Sequence, residues 1–363
     1  MEEKKDSRKW NELNAAEQES RRKAYSSKSI EKATTEFLEN VSNKYVETPA
    51  IPTGFSILDG PEALDGGLYP GLYIIGAMPS AGKTTFVEQI ADYIAAAGND
   101  VLFFSLEMST FELIARSISR KTYEIAKMNV ESEKRPKDYL KCARKTRDLM
   151  RFDCVIDFSF DELEIMSAAQ VEYRDTSAKN IYIFEADGQI GVDYIRQQVE
   201  EHFENTGRRA VIVIDYIQLL KPADVRATDK QNMDFNMLAL KQISRDFRAP
   251  LIGISSYSRT GYEGEARMQS ARDSSSIEYS CDVMLGIHYK GAEDKENFNI
   301  DEAKNQDVRE VVISVLKNRN GVTGTKILFE YIAKYNYFRN MYIYKENKNS
   351  GKGGKARAIK NAL

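Results

Sequence analysis

Gly76-Ala77-Met78-Pro79-Ser80-Ala81-Gly82-Lys83-Thr84-Thr85 has the spacing G-x-x-x-x-G-K-[ST], the loop that wraps phosphate. Such a loop turns several backbone N–H groups onto phosphate oxygens, so Gly76 and Gly82 are expected to leave room for close approach. Ser80, Ala81 and Thr85 belong to the same cradle. Lys83 is expected to reach the β- and γ-phosphates, and Thr84 to offer a hydroxyl to Mg²⁺. Leu72-Tyr73-Ile74-Ile75 before the loop reads as a buried strand. Phe86, Val87, Ile90, Ala91, Ile94 and Ala95 after it fall on one helical face, whose N-terminal end would point at the same anion. A glycine-containing turn between two buried elements is the plain alternative. The strand before and the helix after favour a nucleoside triphosphate site.

Working outward, a chain of 363 residues with 42% hydrophobic content has material for a sizeable core in one or two domains. A net charge of -3 gives no global basic field, so any nucleic-acid contact must be local. Cys142, Cys154 and Cys281 are scattered and odd in number, which argues against a disulfide framework and for a reducing cytosol. His202 and His288 lie in unrelated segments and form no metal-ligand spacing. No apolar run approaches the ~18 residues of a membrane span, and the charged start has no signal-peptide core. A soluble, cytoplasmic protein is expected.

Residues 1–25 are polar and charged apart from Trp10, a composition expected to stay disordered or frayed. In 26–50, Ile30, Ala33, Phe37, Leu38, Val41 and Tyr45 share a helical face. This linker helix either packs on its own domain or docks on a neighbouring subunit. Thr48-Pro49-Ala50-Ile51-Pro52 ends it. The core spans 51–340. Strands are expected at Val101–Ser105, Ile181–Phe184, Val211–Asp215, Leu251–Ser255, Val283–Ile287, Val311–Leu316 and Lys326–Phe329, with a short one at Val155-Ile156. Helices fall between them, one with Phe111, Leu113, Ile114 and Ile118 inward. Apolar strands alternating with helices predict an α/β fold with a mostly parallel central sheet covered on both faces, and ligands at the carboxyl ends of its strands. The basic tail, 341–363, reads as a solvated charged end or a loose nucleic-acid arm.

Asp215, after four apolar residues, is the expected carboxylate of the Mg²⁺ shell. Glu107, just beyond a strand end, suits the base that deprotonates an attacking water; capping the next helix near Ser109-Thr110 is the alternative. With these in place the sequence resembles the C-terminal, RecA-like ATPase domain of DnaB-type replicative DNA helicases. The matching runs are Ile51-Pro52-Thr53-Gly54-Phe55, the phosphate loop, Phe104-Ser105-Leu106-Glu107-Met108-Ser109 and Val213-Ile214-Asp215-Tyr216-Ile217-Gln218-Leu219-Leu220. Arg272-Asp273-Ser274-Ser275-Ser276-Ile277-Glu278 and Lys317-Asn318-Arg319-Asn320-Gly321-Val322-Thr323-Gly324-Thr325 follow in the family's order. The lead-in and the Ser-Leu-Glu-Met run are also similar to helicase segments joined to primases in phages and mobile elements.

The resemblance implies an ATP- and Mg²⁺-dependent hexameric ring moving 5′ to 3′ on single-stranded DNA during replication, with a primase or loader as partner. It implies Glu107 as catalytic base, Lys317 and Arg319 as cations reaching the neighbour's γ-phosphate, and Arg272, Asp273 and Ser275 as the DNA loop. Without it, Lys317-Asn318-Arg319 is a polar strand end before a glycine turn, and 272–276 a polar loop. Three departures stand out. The family usually carries a full N-terminal helical domain, whereas about fifty residues precede the core here. Ser256 stands where the family has a γ-phosphate-sensing glutamine, with Tyr257 and Arg259 as nearby substitutes. Asp273 and Ser275 replace Glu and Gly. A RecA-like loader or switch that unwinds nothing is the rival reading.

Overall fold

The computed structural model describes residues 49–78, 80–151, 157–185, 190–257, 264–270, 274–294 and 297–344, together with Ile30, Thr34 and Leu38. Those three are helical and exposed. The remainder of the linker helix, the charged start, Val155-Ile156 and the basic tail beyond 344 lie outside the described residues.

Among the described residues, nine strands form one sheet: β1 Gly71–Ala77, β2 Asp100–Ser105, β3 Ile181–Glu185, β4 Ala210–Asp215, β5 Pro250–Ser256, β6 Val283–Tyr289, β7 Arg309–Asn318, β8 Lys326–Ile332 and β9 Tyr337–Ile343. Their order is β3-β2-β4-β5-β1-β6-β7-β8-β9. Pairings from β3 to β6 are parallel and those from β6 to β9 antiparallel. β1, β2 and β4 are buried at every position. This is what continuous apolar runs demand, because they have no polar face to give to water.

Helices α1 Lys83–Ala96, α2 Thr110–Glu131, α3 Thr146–Leu149, α4 Phe160–Asp175, α5 Val192–Thr206, α6 Asp229–Asp246, α7 Ser274–Ser280 and α8 Ile300–Asn305 fill the connections. Reciprocal capping boxes start three of them, Ser109/Glu112 on α2, Ser159/Glu162 on α4 and Thr228/Gln231 on α6. Each satisfies two backbone donors that the first turn would otherwise leave unpaired. α1 lies on the sheet through Phe86, which stacks on Phe55 at 5.1 Å and meets Phe329 and Phe338 edge-on. The lead-in Ile51–Phe55 therefore has a structural task. Thr53 is tied to Asp59 through its N–H and hydroxyl, which seats Phe55 under α1. Truncating the fully buried Phe86 would cost about 3–5 kcal/mol.

Two expectations are corrected. Phe111 is 79% exposed and Ile114 and Ile118 are half-buried; Leu113 is buried as expected, joined by Ala115 and Ser117. The strand list also omits β9. It is the sheet's edge, with Arg339 exposed, so its apolar pattern is diluted. It pairs with β8 along its length, and the Gln89 side chain of α1 bonds the Phe338 backbone like a neighbouring peptide, at 2.9 and 2.8 Å.

Candidate phosphate-binding site

The loop between β1 and α1 sits at the carboxyl ends of the parallel strands. Gly82 has φ +89° and precedes the first turn of α1. A Cβ there would lie 2.8 Å from Phe338 and Tyr331, so only glycine turns the chain in this space. Gly76 has a different reason from the one expected. It is the sixth residue of β1, and a Cβ on it would lie 2.6 Å from the Tyr257 ring. Ser80 is left-handed at φ 65°. Its carbonyl accepts from the Tyr289 hydroxyl at 3.1 Å and from Arg309 at 3.3 Å, which fixes the loop from β6 and β7. Ala81 is buried beside it. The sequence reading missed Tyr289 and Arg309; nothing local marks them, since they arrive from strands about two hundred residues away.

Lys83 donates to the Ser256 hydroxyl at 2.8 Å, and its ammonium lies 4.7 Å from the Tyr216 ring centre. Ser256, where the resembled family has glutamine, thus receives the phosphate-loop lysine. Tyr257 is not a substitute sensor: it is buried, with its hydroxyl against Gly286. Arg259 lies outside the described residues. Asp215 closes β4, is fully buried, and precedes a cis peptide to Tyr216. Neither of its carboxylate oxygens has a hydrogen-bond partner among the described residues. Burial pushes this carboxyl up to about 6, against the pull of the Lys83 ammonium and of the Thr84 hydroxyl, which is near the carboxylate but outside hydrogen-bond geometry. A buried carboxylate without a donor costs free energy unless a cation faces it, and Thr84 supplies the second hard oxygen. Thr84 and Asp215 therefore fit Mg²⁺.

Asp215 and Ser105 are register partners, and the Leu106 N–H donates to the Asp215 carbonyl at 2.7 Å. This brings Glu107 alongside, and its charge adds to the upward push on Asp215. Glu107 is exposed and does not cap α2, where Ser109 and Glu112 do that work. A third residue the sequence reading missed, Arg116 of α2, bonds the Thr85 hydroxyl and the Met108 sulfur and lies 3.4 Å from Glu88. It joins α1 to the segment carrying Glu107.

Arg272 and Asp273 lie outside the described residues; Ser275 is exposed on α7. Lys317 and Arg319 sit at the opposite end of the sheet. β7 runs antiparallel to β6, so Arg309 is at the phosphate-loop end and Asn318 pairs with Val283 at the other. The Arg319 N–H donates to the Asp282 carbonyl, and the Asp282 N–H to that of Leu72. From Leu72 to Ala77 is five strand steps, about 17 Å at ~3.3 Å each. Lys317 donates to the carbonyls of Glu278 and Cys281, and Arg319, half exposed, lies 3.5 Å from Asp282.

Comparison with known proteins agrees with this architecture. A solved chain described as an ATPase domain superposes with a TM-score of 0.65 at 23% identity, covering 87% of this chain and 99% of that one. A DnaB-like replicative helicase, whose structure was described with its primase interactions, gives 0.67 at 24%, covering 87% and 67%. These likenesses establish a RecA-like fold. The replicative DNA helicase DnaB of Geobacillus stearothermophilus is 28% identical, and the replicative DNA helicase DnaC of Bacillus subtilis 27% identical, each over 85% of this chain. The chain spans 60% of the length of those relatives. The family described as DnaB-like helicase C terminal domain matches residues 50–340, and the chain belongs to that family.

Proposed function

We propose that this chain is the motor of an ATP-dependent replicative DNA helicase. It works in the cytoplasm as a ring oligomer, a hexamer, that moves 5′ to 3′ on single-stranded DNA. The linker helix, 26–50, joins neighbouring copies, and a primase or loader engages the ring. The observation that carries this reading is the distance along β1. Arg319 is anchored one strand length from its own phosphate loop, farther than its side chain spans, which supports a role for its charge at another copy's nucleotide rather than its own.

In that arrangement the loop amides, Lys83 and the α1 N-terminus hold the triphosphate. Thr84 and Asp215 would hold Mg²⁺, which would supply charge neutralisation to the triphosphate. Glu107 orients the attacking water and takes its proton. Arg319 from the adjacent copy balances charge as the phosphoryl group transfers. It has only to exchange Asp282 for phosphate, whereas Lys317, the second cation, must first leave two carbonyls. Arg272, Asp273 and Ser275 contact the DNA backbone without reading bases.

The test is strand displacement on a 5′-tailed fork, with the solution mass measured in ATP and a short oligonucleotide. Displacement by a hexamer is the expected result. ATP turnover by a DNA-bound oligomer with no displacement would transfer the chain to the loader reading. Undiminished turnover by a monomer would end the ring reading.

A further inference from the structure

Asp282 stands in the link between α7 and β6, and several groups at the far end of the sheet converge on it. Its Oδ2 accepts the Leu72 N–H of β1 at 2.8 Å and also meets the Lys241 ammonium of α6. Its Oδ1 faces the Arg319 guanidinium at 3.5 Å, and its carbonyl accepts the Arg319 N–H at 2.9 Å. The fit is tight: a Cβ on Gly71 would lie 3.1 Å from Oδ2. Lys241 and Asp282 are each largely shielded, whereas Arg319 is half exposed. The carboxylate is therefore fixed from three sides, and the guanidinium is the loose member.

An exposed ion pair of this kind stabilises little. What it does is restrict direction. A long arginine at a strand end samples many rotamers, and a cation acting on a transferring phosphoryl group is effective only when aimed beforehand. We propose that Asp282 is the positioning residue that aims Arg319 at the neighbouring copy's nucleotide, with Lys241 and the start of β1 holding the carboxylate still. This rests on the reading that Arg319 acts between copies.

The test mixes wild-type chains with an excess of Lys83→Ala chains, which have no turnover of their own but still lend Arg319. Three dopants are compared: K83A alone, K83A/R319A and K83A/D282N. Asparagine keeps an oxygen for the Leu72 N–H and removes the charge that holds Lys241 and Arg319. Turnover per wild-type subunit should fall about ten- to a hundredfold more with K83A/D282N than with K83A, as expected for a misplaced catalytic cation. D282N alone should lower kcat with KM for ATP unchanged. A merely structural role would not cross to a neighbour's site. If K83A/R319A poisons the mixture and K83A/D282N does not, the positioning role is overturned and the shared site stands. If neither poisons it beyond K83A, both are overturned. Should D282N unfold early, D282E, which displaces the charge by one methylene, is read the same way.

Discussion

The two ends of β1 are built on opposite principles. At the carboxyl end, the phosphate loop, Asp215 and Thr84 form a cradle whose acidic member is buried and has no hydrogen-bond donor among the described residues. At the amino end, the cations already have partners: Lys317 has two carbonyls and Arg319 has Asp282. One end presents a buried carboxylate that no donor among the described residues meets, while the other holds its cations on carbonyls and a carboxylate. Seven residues of buried strand separate them, and the division follows from strand direction, since β1 ends at the loop while antiparallel β7 ends at the cations.

The largest expected effect is that of Lys83→Ala, which should remove nucleotide binding, and turnover with it, in a direct binding assay. Next is Arg319→Ala. It should keep nucleotide affinity and lose turnover on the order of 10³-fold or more; normal turnover would show that the far end plays no part in the chemistry. A smaller effect follows from Asp215. Below pH about 6 its carboxyl takes up a proton, and the affinity for Mg²⁺-nucleotide should fall about tenfold per pH unit relative to Asp215→Asn. The stability of the free protein moves the opposite way. Because the folded-state value is raised above that of the unfolded chain, this group's contribution is present in acid and lost as the pH rises through about 6. Thermal melting across that range should show the D215N variant without this slope. The smallest effect is that of Ser256→Ala. Removing the hydroxyl that receives Lys83 in the free state should tighten nucleotide binding by up to about tenfold, and weaker binding would give Ser256 a direct role on phosphate.

Most of the parallel sheet is legible in the chain because its strands are apolar throughout and must be buried. The phosphate loop is legible because its geometry restricts residue types at fixed spacing. β9 is not, since an edge strand with Arg339 and Asn340 derives its stability from covering α1 rather than from its own pattern. Periodicity places Phe111 inward with Leu113, yet only Leu113 is buried, beside Ala115 and Ser117. Tyr289, Arg309 and Arg116 give no local signal at all: each matters through one or two contacts with residues remote in sequence.

By itself, the amino-acid sequence determined the fold class, the phosphate loop, and the family to which the chain belongs, because these depend on local spacing and hydrophobic pattern. Only the tertiary structure decided that Gly76 is glycine to admit Tyr257, that Ser256 receives Lys83, and that Arg319 lies a strand's length from its own loop on Asp282. Strand direction and register set those distances, and they are fixed when the whole sheet packs.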